Sequence, residues 1–164
     1  MSLSDEVIRK EDLRQALAAL IAADLATRAR AHRAASEAAT HDEAKPENDK
    51  DTRALEQSYL ARGEAMRVEE LRAALAEVRS MPVRALLPTE PVGVGALVTA
   101  QEGDATQHLW IAPHGGGARL GASSIQVVTP KSPMGRALMG KRAGDDCELA
   151  VAGRTRVLTI VAVR

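Results

Sequence analysis

Between His41 and Asp51 the chain carries five carboxylates in eleven residues: Asp42, Glu43, Glu47, Asp49 and Asp51. Carboxylate oxygens are hard donors of the kind Mg²⁺ and Ca²⁺ prefer, and closely spaced pairs can also relay protons. The same residues have a plainer use. Asn48 or Asp51 can cap a helix that starts nearby, and acids ahead of a helix N-terminus interact favourably with its dipole. Lys45 and Lys50 partly neutralise the group. His41, beside Asp42, is a lone histidine at a helix end, where a surface position is the simpler account.

Other groups that invite chemistry fall away on inspection. Cys147 is the one cysteine, which excludes an internal disulfide framework and a multi-cysteine zinc site. It lies in an expected strand without a local histidine and reads as an inert core residue. Gly115-Gly116-Gly117 lacks the spacing and the Lys-Ser/Thr of a phosphate loop, so it reads as a hairpin loop. Asp145-Asp146 belongs to a turn. Arg136, Lys141 and Arg142 gather near the C-terminal end of a short expected helix. There they either form a basic edge that contacts a protein or nucleic-acid partner or satisfy helix carbonyls.

The elements that must position the acids are helical. From Lys10 to Thr40 the apolar and small residues step by three and four, giving a stripe of Leu13, Leu17, Leu20, Asp24, Thr27, Ala31, Ala34 and Ala38. A stripe so narrow is a coiled-coil seam rather than a globular face. From Thr52 to Ser80 a second stripe answers it with Leu55, Ala61, Ala65, Val68, Leu71, Leu75 and Val78. Folding one helix back on the other matches large residues with large and small with small. The spacing predicts an antiparallel hairpin over residues 1–80, with arms of about 45 Å. Pro46 breaks the helix at the connection, and residues 41–51 with their acids form the tip.

Residues 81–164 have different physics. They hold ten of the thirteen valines and eleven of the twelve glycines, and their formal charge is +3 against −3 for residues 1–80. Strands are expected over Val94 to Ala100, Gln107 to Ala112, Ser124 to Val128, Asp145 to Val151 and Arg154 to Val163. One short helix fits between the third and fourth, with Ser132 as N-cap, Pro133 at its first position and Gly140 after its end. The fold class is therefore α+β: a helical hairpin, then a small antiparallel sheet with one covering helix.

Composition narrows the function classes. The net charge is zero over 164 residues, which argues against broad electrostatic attachment to nucleic acid or acidic lipid. With no Phe, one Tyr and one Trp, aromatic-lined pockets for flat cofactors, proline rings or stacked bases are hard to build. Trp110 reads as core. The acidic start is no secretory signal, and Ala16 to Ala26 is too short to span a bilayer. A cytoplasmic monomer that avoids membranes is the expectation.

The segments Val92-Gly93-Val94-Gly95-Ala96-Leu97-Val98-Thr99, Leu109-Trp110-Ile111-Ala112-Pro113 and Ser132-Pro133-Met134-Gly135-Arg136-Ala137-Leu138-Met139-Gly140-Lys141-Arg142-Ala143-Gly144-Asp145 resemble the GreA/GreB family of transcription elongation factors. The resemblance implies an FKBP-like C-terminal domain that docks at the rim of RNA polymerase's secondary channel, with Ser132, Pro133, Arg136, Lys141 and Arg142 at the contact. It implies a coiled coil that passes down the channel. Tip carboxylates would share a Mg²⁺ ion with the polymerase, which itself cleaves backtracked RNA; nascent RNA and DNA are then indirect partners and the chain is not itself an enzyme. Two metal ions can stabilise the attacking and leaving oxygens of such a cleavage.

At the tip, Glu47-Asn48 matches the central step of the family motif. The position three residues before Glu47, where the family has an acid, is Ala44, with Glu43 and Asp42 four and five residues before Glu47, and the family's following Glu-Tyr pair is absent. The resemblance thus points to Glu47, with Glu43 or Asp42, as the metal-directed acids. A non-cleaving regulator of the same channel, Rnk-like or competing with Gre factors, is the alternative. A peptidyl-prolyl isomerase, suggested by fold analogy alone, lacks the aromatics its pocket would need.

Overall fold

In the computed structural model, residues 9–42, 51–122 and 124–164 are described. The chain opens with two long helices, α1 (Lys10–Asp42) and α2 (Asp51–Ser80). At 33 and 30 residues they run about 50 and 45 Å. Glu11 and Asp12 sit in the first turn of α1 and Arg79 in the last turn of α2, each with the sign that complements the helix dipole. Arg14 Nη1 donates to the Met81 carbonyl at 3.1 Å, and Arg28 Nη1 lies 3.8 Å from Glu64 Oε2. Residue numbers rise in α1 as they fall in α2, so the helices are antiparallel.

The seam of α1 differs from the expected stripe. Leu13, Leu17 and Ile21 are buried, while Leu20 is 50% exposed. After Leu17 the helix burial steps by four rather than three, to Ile21 and then to half-buried Leu25. Two apolar residues stood side by side at positions 20 and 21, and only packing against α2 selects between them. In α2, Val68, Leu71, Leu75 and Val78 are buried as expected, with Ala74 beside them, whereas Leu55 is 59% exposed.

Two compact units are present: Met1–Ala18 with Glu77–Arg164, and Ala19–Ala76. The first contains a six-stranded sheet of β1 (Leu97–Glu102), β2 (Ala105–Ile111), β3 (Arg119–Leu120), β4 (Ile125–Val128), β5 (Asp146–Val151) and β6 (Arg154–Val163), in the order β3-β4-β2-β1-β6-β5. Pairing is antiparallel for β1 with β2, β1 with β6, β3 with β4 and β5 with β6, and parallel for β2 with β4. The sheet is thus mixed, and β3, two residues long, is an addition to the expected strands. A register shift falls between Thr99 and Ala100.

One face of the sheet holds the main core, including Val98, Leu109, Ile111, Val128, Leu158 and Ile160. Helix α3 (Pro133–Leu138) closes it through Leu138, Met134 and Ala137. In the row Leu97–Trp110–Val127, which pairs across β1, β2 and β4, every residue is also buried, Trp110 completely. These strands are therefore covered on both faces there. The loop after β2 lies close to α1, for a side chain at Gly115 would run into Leu17 Cδ1.

Candidate functional site

Two groups of residues carry the functional expectations. Of the tip acids, Asp42 is the last residue of α1, while Glu43 and Glu47 lie outside the described residues. Among the described residues no group of three or more His, Cys, Asp and Glu side chains is placed to hold a metal ion. The fit of a hard cation therefore rests on the oxygen-donor chemistry of Asp42, Glu43 and Glu47 themselves.

The second group surrounds α3. Ser132 caps it: Ser132 Oγ accepts from Gly135 N at 3.0 Å and donates to the Thr129 carbonyl at 2.8 Å. Pro133 takes the first helical position, where its missing N–H costs nothing. A Cβ at Gly135 would collide with the Thr129 carbonyl, so only glycine lets the helix lie this close to the preceding backbone. The turn after α3 is tied back to the chain before β1. Gly140 N donates to the Val92 carbonyl at 2.9 Å, and Val92 N to the Lys141 carbonyl at 2.7 Å.

The three cations of this group are not equivalent. Arg136 Nη1 donates to the Lys131 carbonyl, and Arg142 Nε donates to the Thr89 carbonyl at 3.1 Å. Arg142 N also donates to Asp145 Oδ2 at 2.8 Å, which makes Asp145 a turn residue as expected. Lys141 is exposed and, among the described residues, forms no ion pair. The structure brings Ser132, Pro133, Arg136, Lys141 and Arg142 into one continuous region around α3 and the following turn. Two of its three cations already have backbone partners.

Cys147 is 1% exposed and burial pushes its thiol up; it sits in the core as an unreactive group. Trp110 is likewise core.

Several contacts escaped the sequence reading. His114 Nε2 pairs with Glu77 Oε2 at 2.8 Å, joining positions 37 residues apart in the chain. Arg84 pairs with Glu90 at 2.9 Å, and the Glu90 carboxylate also accepts from Leu87 N. Together these hold Glu90 below its ordinary range, the Arg84 hydrogen bond foremost. Arg156 does the same for Glu102. Glu102 and Arg156 meet because β1 pairs with β6, and His114 reaches Glu77 from the loop after β2; neither pairing has a local mark in the sequence.

Residues 88–164 match the family model described as "Transcription elongation factor, GreA/GreB, C-term". No curated protein matches the sequence. Among solved structures, the GreA factor homolog 1 protein of Thermus thermophilus is 19% identical, covers 90% of this chain and 94% of its own, and superposes with a TM-score of 0.38. The same factor from Thermus aquaticus is 19% identical over 92% of this chain and 95% of its own, with a TM-score of 0.39. A GreA/GreB factor of Nitrosomonas europaea is 22% identical over 57% of this chain and 77% of its own, with a TM-score of 0.37.

Proposed function

We propose, from the match of residues 88–164 to the GreA/GreB family of transcription elongation factors, that the chain binds RNA polymerase at the secondary channel and stimulates cleavage of backtracked RNA. The observation that carries this reading is the pairing of that domain with two helices of 33 and 30 residues whose intervening stretch is rich in acids. A pair of helices is slender enough to enter a channel that excludes a globular body.

In this reading the residues around α3, namely Ser132, Pro133, Arg136, Lys141 and Arg142, contact the polymerase, with Lys141 as the cation most available to a partner. Glu47 and Glu43, with Asp42, offer oxygen ligands to a Mg²⁺ ion that the polymerase also holds. That ion supplies Lewis acidity for the RNA cleavage. The chain contributes donors and reach, and the bond-breaking machinery stays with the polymerase in the cytoplasm. No helix among the described residues is long and apolar enough to cross a membrane.

Capture of core RNA polymerase by this chain, followed by a 3′-cleavage assay on stalled elongation complexes, tests both halves. Binding at micromolar concentration with Glu47-dependent cleavage is the expected result. No binding would sink the whole reading, and binding without cleavage would sink its catalytic half. A second reading, a channel regulator that does not promote cleavage, is favoured by one specific observation. Ala44 stands where the family motif has an acid, and the Glu-Tyr pair is missing. It requires that Glu47→Ala leave the effect on transcription unchanged.

A further inference from the structure

The Gly115-Gly116-Gly117 run lies in the segment that joins β2 to β3. Backbone hydrogen bonds pin this segment to β4. Ala112 N donates to the Val128 carbonyl at 3.0 Å, Gly117 N to the Val127 carbonyl at 2.9 Å, and Val127 N to the Ala118 carbonyl at 2.8 Å. The same segment meets both long helices, at residues that belong to its own compact unit. A Cβ built on Gly115 would overlap Leu17 Cδ1 of α1, and His114 Nε2 pairs with Glu77 Oε2 of α2 at 2.8 Å.

Two neighbouring residues thus each meet one side chain of a different helix. Gly115 has φ +80°, a backbone conformation that comes without steric cost only for glycine. Leu17 is 1% exposed, so its methyl group cannot swing out into solvent to make room. The His114–Glu77 pair is partly exposed and adds little to stability. Its effect lies in what it joins: a segment fixed to the sheet and the last turn of α2.

We propose that His114 and Gly115 are positioning residues, which key the early turns of α1 and the last turn of α2 to the sheet and so set the direction in which the helices leave it. The proposal rests on the functional reading above, in which acids between the helices must arrive at a metal ion held by a partner. From Leu17 to the end of α1 at Asp42 the helix rises about 37 Å, so a tilt of about 5° at its seat displaces that end by on the order of 3 Å. A misplacement of that size is large against what metal-assisted chemistry tolerates. The residues around α3 are untouched by such a tilt, so docking and cleavage respond differently.

Two measurements test it. Spin labels at Ala16→Cys in α1 and Thr155→Cys in β6, both exposed positions, report the distance from helix to sheet without polymerase. One narrow distance is expected with Gly115 in place, and a shifted or broadened one with Gly115→Ala. In cleavage assays on stalled elongation complexes, Gly115→Ala is expected to keep the half-saturating concentration of wild type. Its cleavage rate at saturation should fall about tenfold or more, and that of Glu77→Ala about threefold. Adding Leu17→Ala to Gly115→Ala clears the overlap and is expected to recover both the distance and the rate. Since Leu17→Ala alone lowers stability, such recovery is not what a purely structural glycine would give. If Gly115→Ala does not fold, Glu77→Ala carries the same two readouts. A label distance indifferent to these substitutions, or an undiminished rate at saturation, overturns this inference and leaves the functional reading standing. A raised half-saturating concentration with an unchanged maximal rate also overturns it, since the segment would then belong to the docking contact. A wild type that stimulates no cleavage overturns the functional reading, and the label distances then judge the joint by themselves.

Discussion

The two compact units of the molecule are held together by different means. In the unit containing the sheet, Val98, Ala100, Leu109, Trp110, Ile111 and Leu158 are completely buried, and glycines let backbone lie against backbone. In the Ala19–Ala76 unit, among the described residues, exposure below a tenth is confined to Ile21, Val68, Leu71, Ala74 and Leu75. Toward the ends at Asp42 and Asp51 the seam runs to half-buried Ala29, His32, Ala61 and Ala65. There the helices rely on alanine's propensity and on exposed pairs such as Arg28–Asp24 and Arg67–Glu70, each worth only tenths of a kcal/mol. One unit is rigid by exclusion of space; the other is slender because its side chains are small.

The largest effect expected from this contrast is at a backbone contact. Gly135→Ala forces a Cβ into the Thr129 carbonyl and should cost about 4 kcal/mol, since neither backbone can yield without moving α3. Urea unfolding of the variant measures it, and a loss under 1 kcal/mol would show that α3 is free to shift. In the helical unit, Ile21→Ala should cost about 2 kcal/mol. Leu20→Ala, at a half-exposed position, should stay within about 0.5 kcal/mol. Reversed magnitudes would restore the seam through Leu20 that a three-residue step suggests.

Those two neighbours show what was legible in the sequence and what was not. The cap of α3 was readable, because Ser132, Pro133 and Gly140 act through local backbone chemistry. The strands β5 and β6 were readable from valine, threonine and flanking turns. The choice between Leu20 and Ile21 was not, since both satisfy a helical period and only α2 decides. The parallel pairing of β2 with β4 was hidden for the same reason: strand order is a long-range outcome with no local mark. Nor does any spacing show that Arg136 and Arg142 donate to the Lys131 and Thr89 carbonyls. Of the tip acids, Asp42 closes α1 and Glu43 and Glu47 lie outside the described residues, so that part of the site rests on sequence and resemblance.

Ser132→Ala sharpens the comparison at an intermediate scale. Removing Oγ leaves Gly135 N without its acceptor and should cost about 1 kcal/mol. Ser132→Thr keeps both the acceptor for Gly135 N and the hydroxyl that donates to the Thr129 carbonyl, and should restore most of it. If Ser132 also touches the polymerase, the added methyl of the Ser132→Thr variant will weaken binding even though stability returns, which separates the capping role from the docking one.

The smallest effect concerns charge on the sheet unit. Arg156 donates to Glu102 from both Nε and Nη2, the former at 2.6 Å. These hydrogen bonds hold the Glu102 carboxyl below its ordinary value of 4.5. A carboxyl whose folded value is depressed adds stability that is fully present above the unfolded value and is lost as pH falls through the folded one. Glu102 is therefore expected to contribute at neutral pH and to lose that contribution below pH 4.5. Glu102→Gln should remove part of the acid-side slope of stability against pH and leave the neutral-to-alkaline side parallel to wild type. Because the pair is partly exposed, raising the salt concentration should shrink the difference between the two proteins. An unchanged acid slope would mean that Arg156 finds an equal partner in the unfolded chain, and that this unit, like the helical one, gains little from its surface charges.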